Sequence, residues 1–363
     1  MRLGVQAALV EGELLPGDVE LADDRIAAVG LPSPDGRGIA VPGFVDLQVN
    51  GFGGVDFLET DAAGYARAGD ALLETGVTGY LPTLITSSEE HLVAALGEVP
   101  LRSAGPRILG VHVEGPFLSP ARPGTHPPEL LRDPDPALLA RLVEAGPVRL
   151  VTLAPELPGA YDLIELLHER GVVVSFGHTD ATDEEAHAAF ARGVHTVTHL
   201  FNAMRPFGHR DPGIAGAALT RPDVVVQIIV DGVHLAPDTV KLVWEAAAGR
   251  VALVTDAVAP AGAGAGEFTL GDLSLVVRDG AVRRDDGVLA GSVLTMIEAV
   301  RNLHGLGVPL ERALEAASLV PTSVLGLSDS GRIEVGRRAD LLVVDGDLEI
   351  ERVLVGGETL VAV

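Results

Sequence analysis

Residues 172–204 read VVVSFGHTDATDEEAHAAFARGVHTVTHLFNAM, and this stretch decides the fold. The apolar, β-branched run up to Phe176 is strand-like, DEEAHAAFARG has helical spacing and stops at a glycine, and HTVTHLF is strand-like again. A strand, a helix and a second strand of the same kind form the repeating unit of a parallel sheet. Outward from it, VPGFVDLQVNG, TGYLPTLIT, RILGVHVEG, VRLVTLAPE, VVVQIIVDG and VALVTDA bring the β-like runs to eight. Ala- and Leu-rich segments such as AAGYARAGDALLETG lie between them. Eight strand–helix units over roughly 280 residues suit a (β/α)8 barrel of the TIM type better than an open sheet.

The flanks have another texture. Residues 1–41 carry short alternating runs broken by Gly, Pro and Asp, as in GDVELADDRIAAVG, and residues 331–363 are again β-rich. Both termini are therefore expected to share one small β-sandwich, with residues 42–330 forming the barrel. After the eighth run, EFTLGDLSLVVRDGAVRRDDGVLAG reads as a β-hairpin and LTMIEAVRNLHG as a helix.

Composition excludes several function classes. With 363 residues and 47% hydrophobic content, the chain can bury a core larger than one average domain. A net charge of −25 argues against nucleic acid or an anionic membrane as partner. The chain has no cysteine, so it has neither disulfides nor a thiolate metal site. MRLGVQAALVEGELLPG lacks the apolar core of a signal peptide and no run approaches the length of a membrane span, so a cytoplasmic protein is expected. Lys241, the one lysine, falls in the helix-like APDTVKLVWEAAAG and reads as a surface residue, which sets lysine chemistry aside.

In a barrel of this kind the loops after the strands build the site. Glu114, His178, His199, His234 and Asp256 all fall at strand ends. Two imidazoles and a carboxylate from three separate strands are the ligand set of a catalytic zinc, which keeps one position open for water. A lone buried histidine after a strand is more often a satisfied core residue. Here Glu114, His178 and His199 recur in similar surroundings, each after apolar residues and before a loop. Asp256, in LVTDAVAPAG, can take a proton from the attacking water and return it to a leaving amine; its alternative is a helix N-cap, which the following Pro and Gly disfavour. His126, in the Pro-rich PGTHPP, can polarise a carbonyl from a loop over the site. Arg210, the amides around Asn202 and Ala203, and His234 can neutralise a phosphate; for Arg210 an exposed salt bridge is the competing reading. His112 shares a strand face with Glu114, whereas His195 points to the far end of the barrel.

Taken in order, PGFVDLQVNGFGG, GVHVEGPFLSP, PGTH, GHTDAT, THLFNAMRPF, DGVHLAP, LVTDAVAPAG, LAGSVLTM and GRIEVGRRADLLVVD resemble the amidohydrolase superfamily, and within it the deacetylases of N-acetylglucosamine 6-phosphate. The likeness runs almost end to end. It implies a (β/α)8 barrel with a terminal β-sandwich and a homodimer. It implies one divalent metal on Glu114, His178 and His199, zinc foremost, with iron, cobalt or manganese as alternatives. Asp256 would be the acid/base, while Thr125 and His126 would contact substrate, His126 at the acetamide carbonyl. Asn202, Ala203 and His234 would bind the sugar phosphate, Arg210 would reach it across the dimer interface, and Leu289, Ala290 and Gly291 would line the sugar side. One departure concerns the first strand, where the superfamily's His-x-His is replaced by Gln48-Val49-Asn50, leaving poor ligands for a second metal. The expected reaction is hydrolysis to glucosamine 6-phosphate and acetate by metal-activated water. Alternatives are the galactosamine epimer, a cyclic-amide hydrolase and a metal-free assembly protein; the retained Glu114, His178, His199 and Asp256 oppose the last.

Overall fold

The computed structural model describes residues 1–100, 102, 105–264 and 267–362. Its centre is a ring of eight strands in sequence order: β1 (Phe44–Val49), β2 (Val77–Ile85), β3 (Val111–Glu114), β4 (Val148–Leu153), β5 (Val173–Phe176), β6 (Thr196–Val197), β7 (Val225–Ile228) and β8 (Val251–Leu253). Each pairs in parallel with the next, from β1 on β2 to β7 on β8. The ring closes where Val49 bridges Ala257 and the Asp256 amide donates to the Gln48 carbonyl at 3.0 Å. The expected barrel is the one observed. Helices alternate with the strands, and the stretch read as helical after His178 is Asp183–Phe190, started by a capping box between Thr182 and Glu185.

The interior of the barrel is not wholly apolar. His112 Nε2 lies 2.7 Å from Thr152 Oγ1, which continues to Thr198 Oγ1 at 2.8 Å and on to Ser175 Oγ at 2.6 Å. Burial pulls the His112 imidazole down to about 4, so it is neutral in this chain of hydroxyls. Beside it, Asp46 on β1 accepts from Thr255 Oγ1 at 2.6 Å, the amide of Gln48 at 3.2 Å and that of Thr255 at 3.3 Å.

Burial outweighs those hydrogen bonds and pushes the Asp46 carboxyl up to about 7. A carboxyl raised on folding stabilises below its ordinary value, near 4, and that contribution is lost as pH rises through the folded value. Asp46→Asn is therefore expected to flatten the stability–pH curve between pH 4 and 7. Urea unfolding should show the variant gaining on the parent by roughly 2 kcal/mol between pH 5 and 7; a difference independent of pH would refute the assignment.

Both termini join one six-stranded sheet, in the order Glu13–Pro16, Ala7–Val10, Ile39–Pro42, Leu341–Val344, Ile350–Val355, Glu358–Ala362. The hairpin Asp18–Ala22 and Arg25–Leu31 packs on it through Val19, Leu21 and Ile26 against Ala8, Ala40, Leu341 and Val343. Between barrel and tail, the stretch read as a hairpin is a four-stranded antiparallel sheet: β9 (Phe268–Leu270), β10 (Leu273–Arg278), β11 (Ala281–Arg284) and β12 (Leu289–Ser292). Ser292 bridges Ala257, so this sheet is fastened to the rim at the end of β8.

Candidate active site

Strand β3 ends on Glu114, while His178 and His199 follow β5 and β6. Their ligand atoms form one buried triangle. His199 Nε2 is 3.0 Å and His178 Nε2 is 3.2 Å from Glu114 Oε1, and the two nitrogens are 3.1 Å apart. Tetrahedral zinc with bonds of about 2.0–2.2 Å separates its ligand atoms by about 3.3–3.6 Å, so the triangle need open by only a few tenths of an ångström to hold such an ion. The His178 Nδ1–H donates to the Arg122 carbonyl at 3.1 Å, which leaves the Nε2 lone pair facing the triangle.

Charge leads to the same conclusion. Burial pulls His178 down to about 4, so its ring is neutral. Burial also opposes ionisation of Glu114, but His126, His178 and His199 outweigh it and hold the carboxyl well below the usual range. Burial would likewise lower His199, yet the Glu114 hydrogen bond and charge raise it. An ionised carboxylate buried among imidazoles calls for a positive charge, which a metal ion held in the triangle can supply.

The amides that stand where the superfamily has His-x-His have another task. Gln48 Nε2 faces both Glu114 oxygens at 3.2 Å, and Asn50 Nδ2 donates to Asp256 Oδ1 at 2.7 Å. Both residues orient carboxylates. Burial, then the charge of Glu114, pushes the Asp256 carboxyl up to about 6. That places it near neutrality, where a proton is both taken up and released readily.

His126 stands beside the triangle, its Nε2 3.6 Å from Glu114 Oε2 and its ring 4.4 Å from that of His178. His126 Nδ1 meets both the Thr86 amide, at 3.3 Å, and the Thr86 hydroxyl, at 2.9 Å; with both donating to it, the ring proton sits on Nε2. That nitrogen is buried without a hydrogen-bond partner, as are Thr125 Oγ1 and Asn50 Oδ1. Unpartnered buried polar atoms around a cavity are places where a ligand completes the hydrogen bonding.

These groups open onto one cavity of about 410 Å³, lined by Asn50, Glu114, Thr125, His126, His178, His199, Asn202, Ala203, His234, Asp256, Leu289 and Gly291 among others. Two expected positions fall outside it. Ala290 alternates with Leu289 and Gly291 along β12, so its methyl turns into the apolar core instead of the sugar side. Arg210 is exposed and does not line the cavity of its own chain. Lys241 is on the surface helix Pro237–Ala246, as read, and His195 approaches the Val324 carbonyl at 3.4 Å, away from the triangle. Among the described residues no helix is long and apolar enough to cross a membrane.

Sequence reasoning missed four contributors. Thr86 fixes the His126 tautomer, and the Arg122 carbonyl fixes that of His178. Asp231 accepts from His234 Nδ1 at 2.7 Å and from the amides of Val233 and His234 at 2.8 Å. Burial would raise Asp231, but the His234 contact holds it below the ordinary range, so His234 is anchored with Nε2 free. The spacing Asp231 to His234 was the available signal. Arg283 lines the cavity from β11, which nothing in the barrel alternation foretold.

The backbone at this rim is unusual. His178, His199, Ala203 and Asp256 have φ of 47°, 29°, 48° and 48°, in the left-handed region that side chains disfavour. Gly124 occupies the same region at φ 56°, and a Cβ there would stand 2.9 Å from His178 Cε1. Gly124→Ala is expected to cost about 1–2 kcal/mol and to displace the His178 ring, lowering metal retained after dialysis by tens of fold. Gly97→Ala, with open space around it, is the control that should keep both stability and metal.

A model of the amidohydrolase family matches residues 39–360. Human N-acetylglucosamine-6-phosphate deacetylase is 40% identical over 96% of this chain and 89% of its own length. N-acetylgalactosamine-6-phosphate deacetylase of Escherichia coli is 34% identical over 96% of each chain. Among solved structures, a mutant N-acetyl-D-glucosamine-6-phosphate deacetylase from Mycobacterium smegmatis, in complex with N-acetyl-D-glucosamine-6-phosphate, superposes with a TM-score of 0.93 at 38% identity, covering 99% of this chain and 98% of that one. With a family match reaching from the last N-terminal strand before the barrel to the C-terminal strand, and relatives aligned along nearly their whole length, this chain belongs to the amidohydrolase family.

Proposed function

We propose that this chain hydrolyses N-acetylglucosamine 6-phosphate to glucosamine 6-phosphate and acetate. The observation that carries the reading is one cavity that unites the Glu114–His178–His199 triangle with Asp256 and with His126, whose Nε2 has no hydrogen-bond partner. The triangle would hold one divalent ion, zinc foremost with iron, cobalt or manganese as alternatives, which when bound acts as a Lewis acid on water and the acetyl carbonyl.

The remaining work falls to side chains of this chain. His126 donates Nε2–H to the acetamide oxygen and stabilises the charge that builds there. As water adds to the acetyl carbon, its proton passes to the Asp256 carboxylate, oriented by Asn50 Nδ2. The same proton returns to the sugar nitrogen as the C–N bond breaks, releasing acetate and the amine. Thr125 positions the acetamide arm, and the wall formed by Leu289 and Gly291 excludes water from the sugar side. His234 Nε2, Asn202 and the amide of Ala203 bind the phosphate, and Arg210 completes that contact across a homodimer interface.

Steady-state hydrolysis of phosphorylated and unphosphorylated N-acetylglucosamine, with metal measured on the same sample, tests the reading. Preference for the phosphorylated sugar and about one divalent ion per chain are expected; equal rates on both sugars would refute it. The Escherichia coli relative favours a second reading, the galactosamine epimer. Competition of the two N-acetyl hexosamine 6-phosphates in one assay separates them.

A further inference from the structure

The cavity presents an electrostatic problem. A sugar phosphate carries close to two negative charges at neutral pH. It must enter a cavity holding Glu114 and Asp256, on a chain of net charge −25. Among the described lining residues a single side chain carries a permanent positive charge, and it is Arg283.

Its setting leaves that charge available. Arg283 donates one Nη1–H to the Gly287 carbonyl at 2.8 Å and has no carboxylate partner among the described residues. The neighbouring arginines are already committed: Arg284 to Asp286, Arg122 to Asp180, and Arg205 to Asp180 and Asp211. The strand that carries Arg283 is held on both sides of the cavity mouth. Arg284 donates to the Thr125 carbonyl at 3.4 Å, next to His126. On the other side, β12 pairs with β11 and is tied to the rim where the Ser292 amide donates to the Asp256 carbonyl at 2.9 Å. An arginine fork with unspent N–H donors, on a strand fixed across the opening, suits bidentate capture of a phosphate. Arg283 and Arg210 are both exposed, but of the two only Arg283 lines this cavity.

We propose that Arg283 is the phosphate-recognising cation supplied by the same chain, and that it sets the preference for phosphorylated over unphosphorylated N-acetyl sugars. This rests on the sugar-phosphate reading given above. The test compares kcat/KM for N-acetylglucosamine 6-phosphate with kcat/KM for N-acetylglucosamine in the metal-loaded parent, Arg283→Gln, Arg283→Lys and Arg210→Gln. Thermal unfolding verifies that each variant folds. Arg283→Gln is expected to lower the ratio by about 10- to 100-fold, mainly through KM for the phosphorylated sugar. Inhibition by inorganic phosphate should weaken in parallel, and Arg283→Lys should recover part of the ratio. An unchanged ratio in Arg283→Gln, with the ratio falling only in Arg210→Gln, overturns the proposal and moves phosphate recognition to the other arginine. A parent with no preference for the phosphorylated sugar overturns the sugar-phosphate reading and this proposal with it.

Discussion

Asp256→Asn is expected to lower kcat by about a thousandfold, within the range that general acid–base groups contribute, while metal content stays at the parental value. Asn50 Nδ2 donates a hydrogen bond to Asp256 Oδ1 at 2.7 Å. An asparagine side chain can present its oxygen to that donor, so the position of residue 256 is preserved while its capacity to carry a proton is lost. The backbone contacts are unaffected, because the Asp256 amide and carbonyl bond Gln48 and Ser292 through the main chain. Stability should hold or rise, since the Asp256 carboxylate is buried and repelled by Glu114. Rate measurements paired with metal analysis decide the matter; turnover within tenfold of the parent would remove Asp256 from proton transfer.

The second large effect concerns the metal. Glu114→Gln is expected to weaken metal binding by more than 100-fold, because loss of a direct ligand exceeds the 10- to 100-fold typical of outer contacts. Glu114 Oε1 is the corner shared by both imidazole nitrogens, at 3.0 and 3.2 Å. A neutral amide removes the one negative charge of the triangle, and Gln48 Nε2, 3.2 Å from both carboxylate oxygens, would then meet the amide nitrogen with its own. Dialysis against a chelator followed by elemental analysis should find the variant metal-free under conditions where the parent retains its ion. Full retention would show that the two histidines alone suffice.

The barrel was legible because its strands are buried on both faces and so read as continuous apolar runs, interrupted by segments of helical period. The triangle was legible for a related reason: a polar ligand placed directly after such a run stands out. What escaped was whatever depends on contacts distant in sequence. Thr86 and His126 are 40 residues apart, Arg122 and His178 are 56 apart, and neither contact has a local signature. Arg283 escaped because its stretch read as a simple hairpin, whereas four strands form a sheet that folds over the mouth. Leu289, Ala290 and Gly291 were read as one wall, whereas a strand turns every second side chain away and the Ala290 methyl packs into the core.

The left-handed backbone of His178, His199, Ala203 and Asp256 bears on how this protein responds to improvement. Each such residue holds about 1–2 kcal/mol that glycine would release. A search that rewards heat resistance alone would meet this pull toward glycine at all four positions, and at three of them glycine would delete a side chain on which the proposed chemistry depends. Hardiness and activity thus compete for the same few codons, and engineering of this barrel should begin on its helices and terminal sheet, leaving the rim as it is.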